Sequence, residues 1–197
     1  GVLTHPLLLA QFAYADNTSP IHRGVFLARH IAGRTLKPPP NAIQFKDSEF
    51  KPDQTMREKV THLTKAADCM SCHSIINPLG FALENFDAIG RWREKEKGRP
   101  INAVSDYTTA ANTSLKMTGP RTIANYAADS PHGQRHFVEQ LFNHLAKQAP
   151  GAFGRDTLDE LWQDFVKTDC NVPRLMTEIT VRVAAGVRLQ SGEEKIR

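Results

Sequence analysis

Cysteine is scarce in this chain, with three residues in 197. Three thiols cannot make a disulfide framework, so a small scaffold held by crosslinks is excluded. Long hydrophobic runs are missing too. The longest, Pro6–Ala10, falls far short of the roughly 20 apolar residues that cross a bilayer as a helix, so no membrane span is expected. Blocks of Lys and Arg are absent. The net charge of +4 is spread along the chain and reads as a solvated surface, not as a patch for nucleic acid. There is neither an internal repeat nor a sustained strand alternation. A secretory signal is not visible either. The sequence opens on Gly1, which suits a processed product or a piece of something longer and leaves export open.

What is present is ordinary for a folded soluble protein: 40% hydrophobic residues and 23% charged ones of mixed sign. The length allows one large domain or two small ones. Residues 2–13 (VLTHPLLLAQFA) are apolar without a clear period. Ser19-Pro20 reads as a helix N-cap with a first-turn proline, and Gly33 as a stop. Ile21, Val25, Ala28 and Ile31 keep helical spacing between them. The stretch LKPPPNA (Leu36–Ala42) reads as a stiff polyproline linker or strap and is the best domain boundary in the chain.

Thr55 and Glu58 form a capping box for a helix over Thr55–Ala67 that runs straight into Cys69, with Met56, Val60 and Leu63 on one face. A helical turn or two is expected around Leu83–Ala88, and a loop or weak hairpin over 101–117. Gly119-Pro120 starts a short helix that includes Ile123 and Tyr126. Gly133–Lys147 is helical, with Phe137, Leu141, His144 and Leu145 on one face. Thr157–Lys167 opens with a second capping box, Thr157 and Glu160. Asn171 caps a last helix through Leu175, Ile179 and Val183, and Gly186 is expected to end it. The chain is expected to be mostly α.

Two of the three cysteines lie in CMSCH, Cys69–His73. Three chemistries use Cys-x-x-Cys. A structural zinc site needs four ligands, commonly from two such pairs. Here there is one pair, and His62 or His73 would complete it awkwardly. A redox disulfide of the thioredoxin type wants a strand before the motif and a helix start at it, whereas this motif follows a helix. Covalent haem needs this arrangement: two thiols span the two vinyl groups, and the imidazole of the next residue reaches the iron. Cys69 and Cys72 are then the thioethers and His73 the proximal ligand. Cys170 is left alone as a small buried hydrophobe.

CMSCH, with NPLG and IGR downstream, resembles a class I c-type cytochrome. More narrowly, NTSPIHRGVFLARHI, LKPPP, CMSCHSIINPLGFALENFDAIGRWR and RHFVEQLFNHLAKQ are similar to the C-terminal haem c region of large multidomain cytochrome proteins of planctomycete-type bacteria. The resemblance covers almost the whole chain. It implies one covalently attached haem c and one-electron transfer to or from a redox partner, in an exported, periplasmic or extracellular protein that is often joined to other domains. A basic rim would suit an acidic partner. In the class I pattern the proline after the motif, here Pro78, offers its carbonyl to the proximal imidazole. Arg91, Trp92 and Arg93 match the place where such proteins hold a haem propionate; the bland alternative is a solvated turn.

The other side of the iron separates electron transfer from catalysis. Met117 lies 44 residues after His73, in LKMTGP, a spacing and a setting that resemble the class I distal loop. It could equally be a core methionine. His144, on an apolar helix face, and His5, in the apolar N-terminal stretch, are the other candidates. An open distal position would make a peroxidase-like haem enzyme the rival to a carrier of electrons. The expected architecture is a class I cytochrome c-like helical haem domain over residues 41–197, including extra C-terminal helices, preceded by a helical extension and proline-rich strap over residues 1–40. The helix at Thr55–Ala67 is expected to pack on one of the C-terminal helices.

Overall fold

The computed structural model describes residues 1–37 and 45–193, and the side chains of the last helix as far as Gly186. Pro38–Ala42 of the proline-rich stretch, and the boundary expected there, lie outside the described residues. The chain forms two compact units, Gly1–Ala128 and Asp129–Arg197. The chain as a whole is mostly helical, as the pattern predicts. Among the described residues there are eight α-helices and two short antiparallel hairpins.

The first unit opens with α1 (Pro6–Gln11) and α2 (Pro20–Phe26). Ser19 Oγ accepts from the backbone N–H of His22 at 3.2 Å, and Pro20 fills the first turn. The helix continues as a π-helical turn over Leu27–Ile31, and Gly33 takes a positive φ of 66°. Next comes α3 (Met56–Leu63) with its reciprocal capping box between Thr55 and Glu58. It stops at Thr64.

A new helix, α4 (Ala67–Phe81), then carries the whole CMSCH motif and NPLGF after it. The one helix expected to reach Cys69 is therefore two. The turn of helix expected at Leu83–Ala88 is displaced upstream, and those residues form turns with a bridge from Phe86 to Trp92. Pro78 lies inside α4, a position that costs about 3 kcal/mol in an exposed helix. Ile76–Phe81 are all buried, and large apolar side chains return roughly 1.5–3 kcal/mol each on burial. Tertiary packing thus overrides the local breaker.

What buries that end of α4 is chiefly α2. The two backbones touch at two glycines. A Cβ on Gly24 would overlap the Ile76 carbonyl oxygen, and one on Gly80 the Pro20 carbonyl oxygen. Two hairpins follow: β1 (Lys95–Glu96) with β2 (Arg99–Pro100), and β3 (Ser105–Thr108) with β4 (Ser114–Met117), Ser105 opposite Met117. The second is the hairpin expected within 101–117. Then comes α5 (Pro120–Asp129). The core gathers Leu9, Leu27, Leu79, Leu83, Tyr107, Met117 and Ile123. Within this unit α3 packs on α2 and α4, and its Met56 and Val60 cluster with Phe81.

The second unit holds α6 (Pro131–Ala146), α7 (Thr157–Lys167) and α8 (Val172–Glu193). Its core is Val138, Phe142, Leu161, Phe165, Leu175 and Ile179. Three expectations change here. The buried stripe of α6 runs through Val138 and Phe142, so His144 is exposed and Leu145 is 36% exposed. Apolar residues occupy two neighbouring stripes of that helix, and α7 and α8 select one of them. Thr157 does not cap α7: its Oγ1 accepts from Arg182 at 3.3 Å, and Glu160 pairs with the same arginine. Gly186 does not end α8, which runs on to Glu193. A Cβ there would come within 2.8 Å of the Phe153 ring, so the glycine makes room instead of stopping the helix. Asn171 caps α8 as expected, its Oδ1 accepting from Arg174 N at 2.9 Å. No helix among the described residues is long and apolar enough to cross a membrane.

Candidate functional site

Along its length α4 changes character. Its first half is half-buried or exposed, while its second half is buried all round. Cys69, Cys72 and His73 lie in the first half, at positions i, i+3 and i+4 of one helix, a spacing that puts them on one face. All three are half-buried, and both thiols are free. The buried second half anchors the helix, so the motif is displayed from a rigid element and not from a loop.

The imidazole of His73 is held from behind. Its Nδ1 lies 2.9 Å from Asn77 Oδ1, one turn on. Asn77 Nδ2 donates to Thr64 Oγ1 at 2.9 Å, and Thr64 Oγ1 donates to the Val60 carbonyl at 2.8 Å. Asn77 and Thr64 are buried. The Pro78 carbonyl, expected as the partner of His73, instead accepts from Ala82 N at 3.3 Å, because α4 continues through the proline and aims that carbonyl along its own axis.

The two thiols and the imidazole do not converge with a fourth ligand on a point. Among the described residues no three His, Cys, Asp or Glu are grouped to hold an ion, so the four-ligand geometry of structural zinc is not available there. The donor set does fit haem c. Two free thiols three residues apart and an imidazole directly after them need not share a centre, since each meets a different part of the macrocycle.

Met117 ends β4, fully buried in the cluster that α4 enters through Ile75 and Leu79. His5 occupies the N-cap position of α1 without a side-chain capping bond and is exposed, and His144 is exposed on α6. Arg91 donates from its Nε to Asp87 Oδ2 at 2.8 Å, within the turn. Trp92 is 60% exposed and meets the Phe86 ring edge-on. Arg93 pairs with Glu84 at 3.2 Å.

That last contact belongs to a cluster that sequence reading missed. Arg23 (1% exposed) and Glu84 (2% exposed) are buried side by side. Arg23 donates to the carbonyls of Phe86 (2.7 Å), Asp87 (2.6 Å), Leu83 and Leu9 (both 3.3 Å). Thr18 Oγ1 donates to Glu84 Oε2 at 2.9 Å. Burial pushes the Glu84 carboxyl up to about 7, against the pull of Arg93, Arg23 and the Thr18 hydroxyl. Burial likewise lowers Arg23, against the attraction of Glu84. The cluster pins α1, α2 and the turn after α4 together behind the motif helix. Its one signal in the sequence is an arginine at 23, inside a helix otherwise spaced as apolar. Asn77 carried a signal too: it stands four residues after His73, where helical spacing brings the two together.

A groove of about 650 Å³ runs along α3 beside β1 and β2, with Arg57, His62, Lys65, Arg99 and the buried Glu84 and Glu96 among its lining residues. Arg99 is held there by Glu58 at 2.7 Å.

The family model of PSCyt3, a protein of unknown function (DUF1588), matches residues 1–96. That stretch contains the motif, the His73–Asn77–Thr64 chain and the Arg23–Glu84 cluster. No curated protein and no solved structure matches the chain.

Proposed function

We propose that this chain is a c-type cytochrome module, with one haem c attached through Cys69 and Cys72 and His73 as the proximal ligand. Its task would be to pass single electrons to or from a redox partner protein or domain. The observation that carries the reading is the free thiol pair on one helix face beside an imidazole already held through Nδ1. The short name of the family matched over residues 1–96, PSCyt3, points the same way.

When bound, haem would supply a one-electron iron couple. The chain's own residues do the rest. The buried half of α4 keeps the attachment face rigid. Met117 takes the sixth position in this reading, as a thioether with no polar need of its own in the cluster beside α4. Arg91 and Trp92, exposed beyond α4, are assigned to a propionate in this reading, with Arg91 keeping its pair with Asp87. The reading carries export with it, to the periplasm or beyond, as part of a larger multidomain chain.

Expression with a haem-attachment system tests the attachment. Haem should remain on the chain through a denaturing gel and be lost in Cys69→Ala and Cys72→Ala. A chain that emerges colourless would sink the reading. Absorption spectra then test the role. A low-spin spectrum with a long-wavelength Met–iron band, abolished in Met117→Leu, is expected. A high-spin ferric spectrum with rapid carbon monoxide binding on reduction would replace electron carriage with a haem enzyme.

A further inference from the structure

We propose that Asn77 and Thr64 are positioning residues that hold His73 as its Nδ1–H tautomer, leaving the lone pair on Nε2. The inference rests on the reading of His73 as an iron ligand, for which Nε2 is the nitrogen required.

The proton chain runs consistently in one direction. The Val60 carbonyl can only accept, so the hydroxyl of Thr64, 2.8 Å away, gives it its proton. A hydroxyl that has given its proton can only accept at its other contact. The Asn77 amide atom 2.9 Å from Thr64 Oγ1 is therefore the NH2 group. This turns Oδ1 toward His73, 2.9 Å from Nδ1. An amide oxygen only accepts, so Nδ1 carries the hydrogen. A neutral imidazole has one N–H, and Nε2 is left bare.

Burial enforces the order. Asn77 is 7% exposed and Thr64 3%, so with the Thr64 hydroxyl on the Val60 carbonyl a flipped amide would set its oxygen against Oγ1 with no water to relieve them. The side chain does here what a backbone carbonyl could do without help. A backbone carbonyl cannot flip, but an asparagine amide can, and Thr64 is what prevents it. The Pro78 carbonyl is already engaged by Ala82, and the relay takes its place.

Nitrogen-15 NMR of the chain prepared without haem, recorded above the imidazole's titration range, reads the tautomer directly. His73 should be protonated at Nδ1 in the unaltered chain and in Thr64→Ser. Thr64→Val and Asn77→Leu should lose that form in favour of Nε2–H. An Nε2–H imidazole in the unaltered chain overturns the proposal whether or not the variants fold, and so does a Thr64→Val chain that keeps the original tautomer. A second readout uses the haem-loaded chain. Asn77→Leu should shift the reduction potential upward, because the iron-bound ring loses the acceptor that enriches it in electrons, while Thr64→Ser should leave it in place. An unchanged potential in Asn77→Leu overturns the proposal as well. Failure of haem to attach would remove the functional reading alone, since the tautomer is measured without it.

Discussion

The two units differ in what they bury. The first encloses Arg23, Glu84, Lys59, Asn77 and Thr64 among its apolar residues. The second encloses an apolar core with Thr157 as its buried polar residue among the described residues, and its arginine–carboxylate pairs Arg135–Asp159, Arg174–Asp164 and Arg182–Glu160 lie at least a third exposed on each side chain. A buried charge or amide is costly unless each partner is in place. Its cost depends on geometry to a fraction of an ångström, whereas an apolar core tolerates exchange of side chains of similar volume. The first unit therefore has the more exacting interior, and it is the one that holds the motif. The second has the interior of a helical packing unit.

The contrast can be broken experimentally. The largest effect is expected from Arg23→Ala, which leaves the buried Glu84 with Arg93 and Thr18 alone and takes a donor from four carbonyls. Loss of one member of a buried pair costs about 3–5 kcal/mol, read as a fall in the urea midpoint of the first unit. A loss below about 1 kcal/mol would show that the cluster is solvated and would dissolve the contrast.

Dependence on pH comes next. The Glu84 carboxyl is raised from 4.5 to about 7 when folded. Between those values the folded chain binds more protons than the unfolded one, so stability falls as pH rises. The contribution is complete below about 4.5 and lost above about 7, spanning on the order of 3 kcal/mol. Urea midpoints should drop between pH 5 and pH 8, and Glu84→Gln should flatten most of that slope. A slope as steep in Glu84→Gln as in the unaltered chain would assign it to other groups.

Smaller effects belong to the second unit. Asn171→Ala removes the cap of α8 and should cost about 1 kcal/mol, seen as a modest shift in thermal unfolding. Arg135→Ala breaks a pair with Asp159 at 2.7 Å between side chains 45% and 51% exposed. It should cost no more than about 1 kcal/mol and lose even that in high salt. A larger, salt-insensitive loss would mean that the surface charges of this unit are as tightly engaged as those buried in the first.

What sequence reading reached and what it missed divide along the range of the interaction. Ser19-Pro20, Thr55 with Glu58, and Asn171 are caps satisfied within three residues, and all three were legible. The stretch 101–117 was read as a loop or weak hairpin, and the structure pairs Ser105–Thr108 with Ser114–Met117 there. Thr157 and Glu160 have the same spacing as a capping box, but Arg182, more than twenty residues away in the chain, takes both. Gly186 reads as a stop until Phe153 is laid over it. Pro78 reads as a break until α2 covers the helix that contains it. His144 reads as buried until α7 and α8 select the neighbouring stripe of α6.

The candidate site divides in the same way. Cys69, Cys72 and His73 stand within five residues, and the sequence by itself determined the spacing of two thiols and an imidazole; that they share one face of a helix came from the structure, where α4 starts at Ala67. The sequence also determined a mostly helical chain, because capping and 3.6-residue periodicity are local. Only the tertiary structure decided that Thr64 backs the Asn77 amide behind His73, where Met117 sits, and which charges go inside. Those choices depend on the free energy of removing polar groups from water. That energy is set by the atoms the fold brings alongside, most of them tens of residues away in the chain.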